Sequence, residues 1–202
     1  MLKKVQIERF DPENRREWRR WLKQNGSDSR GVWVVIYKKH SGEARLTYPE
    51  AVEEALCFGW IDSTPNKVDT KRYVQYFAPR RPRSIWSQLN KKRVQQLIRE
   101  GRMAAPGLEK INAAKKDGSW RALDAIDQLI VPTDLAKSLT VNAEAKKNFE
   151  AFSVSSRKII LYWIHSARKP ETRARRIEEV VSKAARNIRA NHYRPAGVPI
   201  TK

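Results

Sequence analysis

The sequence predicts an α+β fold, in which a small antiparallel sheet of about three strands packs with helices and an all-helical C-terminal part follows. β-Branched and aromatic residues concentrate in two stretches of the first half, residues 31–39 and 72–78. Apolar residues at helical spacing surround these stretches. After Pro132 the helical spacing continues to about residue 187 without another strand-like run.

The first helix is predicted to begin at Asp11-Pro12, because Asp caps free amides and Pro fits the first helical turn. Gly26 predicts its end. The next stretch, residues 31–39, has an unbroken apolar middle, which indicates a central strand covered on both faces.

The second helix is predicted from a capping box formed by Thr47 and Glu50, and Gly59 predicts its end. From residue 60 the pattern becomes extended, with a turn expected at Pro65-Asn66 and a return strand over residues 72–78. We therefore expect a β-hairpin that pairs with the central strand.

The remaining elements are predicted to be helices. One is capped by Ser84 or Ser87 and runs to Glu100, and a shorter one covers about residues 108–116. The C-terminal helices are expected to begin at Thr133, Asn142, Val154 and Glu171. The predicted division is an α+β domain at 1–131, a helical region at 132–190 and a basic mobile tail at 191–202.

Composition limits the classes of function. The 202 residues carry a formal net charge of +20, so the expected partners are anionic, either a small molecule or nucleic acid. Cys57 is the only cysteine, and His40, His165 and His192 are scattered, so neither a metal site nor a cofactor is predicted. The start of the chain lacks the pattern of a secretory signal and no apolar run could span a membrane, so a cytoplasmic protein without integral membrane association is expected.

Asp62 follows Trp60 and Ile61, and an unpaired carboxylate in such apolar surroundings would be costly to bury. A cationic partner is therefore expected, with the arginines that follow residue 79 as candidates. Trp60 and Asp62 could contact a ligand, and Asp62 is the one weak candidate for a catalytic acid or base. The alternative is an Asp that organises a turn at a strand end.

The second candidate segment combines arginines, two prolines and a helix start. Guanidinium groups on a stiff loop beside free helix amides suit the capture of phosphate or carboxylate. The alternative is that the tryptophan is part of the core and the arginines are solvated. The candidate ligand-binding residues of this segment are Arg80, Arg81, Arg83, Ser84, Trp86, Asn90 and Arg93.

A second basic cluster contains Arg173 and Arg176, near the start of the last predicted helix. Basic residues there oppose the helix dipole, so an acidic partner is expected to neutralise them. An intramolecular pair with a nearby glutamate is the alternative.

Three blocks of sequence resemble the YdeI/OmpD-associated (OmdA) bacteriocin-protection family. They are EALCFGWIDS at residues 54–63, PRRPRSIWSQLN at residues 79–90, and residues 162–177. The resemblance extends from about Phe10 to Asn187. It implies a cytoplasmic protein linked to stress tolerance and to protection against bacteriocins or antimicrobial peptides, without an assigned reaction or cofactor.

The residues favour a binding protein for an anionic ligand over an enzyme, because no nucleophile, metal or phosphate-loop signature is present. Two alternatives stay open. One is an enzyme acting on a phosphorylated or carboxylated small molecule, with Asp62 as acid or base. The other is a module whose C-terminal helical hairpin binds an acidic protein.

Overall fold

The computed structural model describes residues 7–191 and confirms the α+β class. The chain divides into two compact units, the first ending at Ala122 and the second beginning at Leu123. The division predicted from the sequence stands at residue 131, so residues 123–131 group with the helices that follow them. The predicted mobile tail lies outside the described residues except for Asn191.

The first unit contains a four-stranded sheet in the order β1-β2-β4-β3. β1 lies parallel to β2, and the other neighbouring pairs are antiparallel. The expected number was about three; the additional strand, β1, has only two residues and is too short to give a periodic pattern. The strands are β1 (Arg9–Phe10), β2 (Val32–Tyr37), β3 (Trp60–Lys67) and β4 (Arg72–Pro79).

The turn of the hairpin differs from the prediction. Pro65 and Asn66 lie within β3, where they pair with β4. The chain reverses instead around Asp69, whose Oδ1 accepts hydrogen bonds from the backbone amides of Lys71 (2.8 Å) and Arg72 (2.6 Å). A register irregularity between Asp62 and Pro65 lets the sheet tolerate a proline.

Four α-helices and a short 3-10 helix (Lys39–Ser41) complete the first unit among its described residues. α1 begins after Asn14, whose side chain accepts from the amide of Glu17, and not at the predicted Asp11-Pro12. The predicted Thr47–Glu50 capping box is present, and Ser87 caps the third helix. The helices are α1 (Arg15–Asn25), α2 (Tyr48–Cys57), α3 (Gln88–Arg99) and α4 (Ala105–Asp117).

The core of the first unit is rich in aromatic residues. Trp18 stacks on Trp21 with ring centroids 5.3 Å apart and also contacts Phe77 of β4. Burial of such large rings provides much of the stabilisation of a unit this size. This core fixes the end of β4, from which the arginine-rich segment extends.

Within residues 123–191 the second unit consists of helices and the turns that join them, as predicted for the C-terminal part. It has a separate core that includes Leu135, Phe149, Ile160 and Val180. Its helices are α5 (Asp124–Asp127), α6 (Thr133–Thr140), α7 (Ala143–Ala151), α8 (Val154–His165) and α9 (Pro170–Ala184).

Candidate functional site

A small cleft lies between the segment that joins β4 to α3 and the C-terminal end of α4. Its volume is about 90 Å³. Five of the predicted ligand-binding residues line it: Arg80, Arg81, Arg83, Ser84 and Trp86. Lys110 and Asp117 of α4, with the following Ser119, contribute the opposite side. We call this the Arg80 cleft.

Arg80 is 3% exposed, and its guanidinium carbon lies 3.7 Å from the centroid of the Trp86 ring. Nη1 donates long hydrogen bonds to the Ser84 hydroxyl (3.2 Å) and to the carbonyls of Ser84 and Ile85, each at 3.4 Å. Its Nε is buried and has no hydrogen-bond partner among the described residues. Within residues 7–191 no carboxylate forms an ion pair with Arg80, so the residue is a buried cation beside the cleft without a direct counter-ion.

Burial lowers the pKa of the Arg80 guanidinium to about 10, while the charge of Asp62 opposes this shift. Arg80 is therefore still charged at neutral pH. Buried charges are usually paired in proteins, because desolvation is costly. An anion in the cleft would supply the missing counter-charge.

Asp117 connects the two sides of the cleft. Its Oδ1 accepts from the amide of Ser119 (2.9 Å), and its Oδ2 accepts from the amide of Arg83 (3.2 Å), a residue with φ of 58°. The Ser119 side chain and amide, followed by Arg83, hold the pKa of the Asp117 carboxyl below its usual value. The Ser119 hydroxyl lies beside Asp117, but its buried oxygen makes no hydrogen bond of acceptable geometry.

The two tryptophans predicted as ligand contacts are core residues. Trp60 is 1% exposed, donates to the carbonyl of Gly26 (3.1 Å) and meets Trp21 edge-on. Trp86 is equally buried between Arg80 and Trp120. Neither indole has a free face, so their role in the structure is to support the cleft and the sheet.

Asp62, Asn90 and Arg93 lie outside the Arg80 cleft. The hydroxyl of Tyr48 donates to Asp62 Oδ2 (2.7 Å), and burial together with this bond raises the pKa of Tyr48 to about 12. Arg93 Nη1 donates to Asn90 Oδ1 (3.1 Å) within α3. The cationic partner expected for Asp62 is thus replaced by a phenol.

A cluster of arginines around Glu54 was not anticipated, although this residue opens a block that was singled out. Glu54 is 2% exposed, and three guanidinium groups bind its carboxylate. The closest contacts come from Arg15 (2.5 Å), Arg19 (2.6 Å) and Arg102 (2.7 Å). Sequence spacing places Glu54 on α2, but its burial depends on the packing of α1 and residue 102 against that helix.

The second basic cluster is paired within the second unit. Arg173 forms two bonds to Asp134 (2.6 and 3.0 Å) and a third to the carbonyl of Ile164 (3.3 Å). Arg176 binds the carbonyl of Trp163 and the hydroxyl of Ser166. Both arginines therefore satisfy carbonyls at the C-terminal end of α8, where cations are favoured.

The α4 side of the cleft was not predicted from the sequence. A local pattern does mark it: Gly118, a glycine that ends a helix, is preceded by the acid Asp117 and followed by Ser119 and Trp120. Gly118 adopts a φ of 83°, which turns the chain back toward residues 80–84. Only the tertiary fold shows that these two segments meet.

Two negative findings concern residues 7–191. No group of three or more His, Cys, Asp or Glu side chains there could hold a metal ion. In the same part of the chain, no helix is long and apolar enough to cross a membrane.

Fold and site together define a basic α+β protein with a small cationic cleft. The chain belongs to the family described as "Domain of unknown function (DUF8412)", which matches residues 10–110. Residues 128–187 match the family described as "Bacteriocin-protection, YdeI or OmpD-Associated" (OmdA). The OmdA resemblance is therefore confirmed for the C-terminal block, whereas the blocks at 54–63 and 79–90 fall in the first match. No curated protein and no solved structure matched the chain.

Proposed function

We propose that this protein binds an anionic small molecule through the Arg80 cleft. The observation that carries the proposal is the buried Arg80 guanidinium, which has an unpartnered Nε and no carboxylate partner within the described residues. The exposed Arg81 and Arg83 and the half-buried Lys110 add positive charge at the same cleft. The whole-chain charge of +20 would raise the local concentration of anions.

Energetics support an anion at this position. A decrease in the pKa of Arg80 from 12.5 to about 10 corresponds to about 3 kcal/mol disfavouring the charged form, to order of magnitude. A bound anion would offset part of this desolvation cost by placing a negative charge beside the guanidinium.

The test is calorimetric titration of inorganic phosphate into wild type and into two double variants. Arg81→Ala with Arg83→Ala should weaken binding about fivefold or more, since two charged groups at the cleft are lost. Arg30→Ala with Arg121→Ala removes the same charge from exposed positions outside the cleft and should change affinity less than about twofold.

Equal weakening in both double variants would contradict the proposal, because only net charge would then matter. Absence of any anion binding at low salt would also contradict it. An oligonucleotide whose affinity grows with its length and is insensitive to the cleft variants would favour nucleic acid as the partner instead.

We further propose that this binding operates in the cytoplasm, in tolerance of stress or of antimicrobial peptides and bacteriocins. The match to the family described as bacteriocin-protection supports this proposal. The net charge argues against direct sequestration of cationic peptides, because a protein at +20 repels them. The test is to delete the gene, measure the loss of tolerance, and reintroduce either wild type or the Arg81/Arg83 double variant. Full restoration of tolerance by the double variant would contradict a need for the cleft.

A second candidate function, binding of a protein partner, is favoured by an apolar groove between α6 and α9. The groove has a volume of about 720 Å³, and Val141, Ala174 and Ile177 are among its lining residues. Ala174→Trp should fill the groove and abolish binding of a protein partner in a pull-down experiment, and it should leave α9 folded because Ala174 is exposed. Unchanged binding of the partner would exclude this groove as the contact surface.

A further inference from the structure

The lining of the Arg80 cleft contains one feature that simple anion attraction does not explain. Among the described residues that line it, four are cationic and Asp117 is the only acid. A carboxylate beside a fully deprotonated anion is unfavourable, because like charges repel. It is favourable only when the anion carries a proton that the carboxylate can accept.

Asp117 has the capacity to accept that proton. Each of its oxygens already accepts one backbone amide, from Ser119 and from Arg83. A carboxylate oxygen offers two lone-pair positions, so each oxygen can accept one further hydrogen bond. Since the pKa of Asp117 is held below its usual value, the group is a carboxylate at neutral pH and accepts without donating.

The donors of the cleft come from two different elements. Arg80, Arg81 and Arg83 line the cleft from the segment that follows β4, and Lys110 lines it from α4. Donors on both sides together with one acceptor suit an anion whose oxygens point in several directions, such as a tetrahedral one. A planar carboxylate has no hydrogen to offer Asp117 once it is ionised.

Size restricts the ligand further. At about 90 Å³ the cleft is well below the roughly 300–1,000 Å³ of pockets that enclose drug-sized ligands. Trp86 is covered by Arg80 and Trp120, so it offers no face on which a base or sugar could stack. The cleft accommodates a single small group.

We propose that the Arg80 cleft is selective for a protonated phosphate, with Asp117 accepting the P–OH hydrogen while the accessible cations of the lining, Arg81, Arg83 and Lys110, donate to the other oxygens. The inference rests on the proposed anion-binding function and specifies its ligand. Inorganic phosphate at neutral pH and the singly ionised form of a phosphate monoester both carry the required hydrogen.

Phosphate and sulfate are matched probes, because both are tetrahedral oxyanions of similar size and only phosphate retains a proton at pH 7. Calorimetric titration of wild type should show phosphate binding about tenfold or more tightly than sulfate, as expected when a site rejects an analogue that lacks a required hydrogen bond. Asp117→Asn should bring the two affinities to within about threefold, mainly by improving sulfate binding. Glu109→Gln removes an equivalent charge from an exposed position of α4 and should preserve the wild-type ratio.

Each outcome is decisive. Equal affinity of wild type for both anions overturns the phosphate inference, and so does an Asp117→Asn ratio equal to that of wild type. If citrate or acetate binds at the cleft and phosphate does not, the inference fails while the proposed anion binding stands. If no anion binds, both fail. The wild-type ratio does not depend on any variant folding, and circular dichroism confirms the fold of Asp117→Asn.

Discussion

At the scale of the residue, Arg80 combines a buried charge with a fixed orientation. Its guanidinium plane is fixed by the Trp86 ring at 3.7 Å, and its Nη1 is held by Ser84 and Ile85. A planar guanidinium held in this way has little freedom left to lose when a partner approaches it. We propose that this fixed orientation reduces the ordering required on anion binding.

Glu54 is the residue on which the cluster of Arg15, Arg19 and Arg102 depends. Glu54→Gln should lower the free energy of unfolding by about 2 kcal/mol, because three guanidinium groups would lose their shared counter-charge while still reaching solvent. Glu53→Gln is the matched control, since its side chain is 29% exposed and the loss should stay below about 1 kcal/mol. Urea unfolding measures both, and equal losses would contradict the central role of Glu54.

The raised pKa of Tyr48 makes the free energy of unfolding depend on pH in the alkaline range. Its folded pKa of about 12 lies above its ordinary value of 10, through burial and the bond to Asp62. The stability contributed by the neutral phenol is complete below pH 10 and is lost as pH rises through about 12. Tyr48→Phe should therefore lose less stability than wild type between pH 10 and 12.

Unfolding by urea at several pH values in this range provides the measurement. Tyr162→Phe, at an exposed position, should follow wild type. Parallel losses in wild type and Tyr48→Phe would show that Tyr48 does not retain its proton in the fold.

At the scale of the element, α4 packs unusually close to the end of α2. A Cβ built on Gly107 would lie 2.2 Å from the carbonyl oxygen of Cys57, which is backbone and cannot swing away. Gly107→Ala should destabilise the first unit, although Ala is favoured over Gly by about 1 kcal/mol in helices. Asn112→Ala, on the exposed side of α4, should stay within about 0.5 kcal/mol of wild type. A Gly107→Ala variant as stable as the control would contradict this contact.

In the second unit, the Asp134–Arg173 pair joins α6 to α9. Arg173→Ala should speed amide hydrogen exchange in both helices, corresponding to about 1 kcal/mol. The bond to Arg173 holds the pKa of Asp134 below its ordinary value of 3.8, so this stabilisation is present above about pH 4 and decreases as pH falls further.

Arg175→Ala is the matched control for that prediction. Arg175 lies exposed on the same helix, and its loss should leave exchange near the wild-type rate at every pH. A difference between wild type and Arg173→Ala that persists unchanged at pH 3 would contradict the assigned ion pair.

At the scale of the whole molecule, helix caps formed by residues close in sequence were predictable, whereas contacts between distant segments were not. The Thr47–Glu50 box and the Ser87 cap involve residues three apart, so the sequence contains everything they require. The hairpin turn was misplaced because Asp69 and an irregularity near Asp62, not the proline, decide where the strands reverse. Residues such as Ser119 and Glu54 acquire their roles from segments distant in sequence.

The same distinction applies to the candidate site. An arginine-rich segment was identifiable from its composition, and five of its predicted residues line one cleft. Which arginine is buried, and that it lacks a counter-ion, depends on Trp86 lying beneath it. The net charge of +20 attracts anions generally, whereas we propose that the cleft selects one of them.

The most direct test of the central claim is the NMR signal of the Arg80 Nε–H group during titration with inorganic phosphate, assigned by its disappearance in Arg80→Lys. We predict a saturable shift of this proton, because a bound anion supplies the counter-charge that the buried guanidinium lacks among the described residues. The shift should follow the same binding curve as the calorimetric heat. An Arg80 signal that stays fixed while phosphate binding saturates would contradict the account.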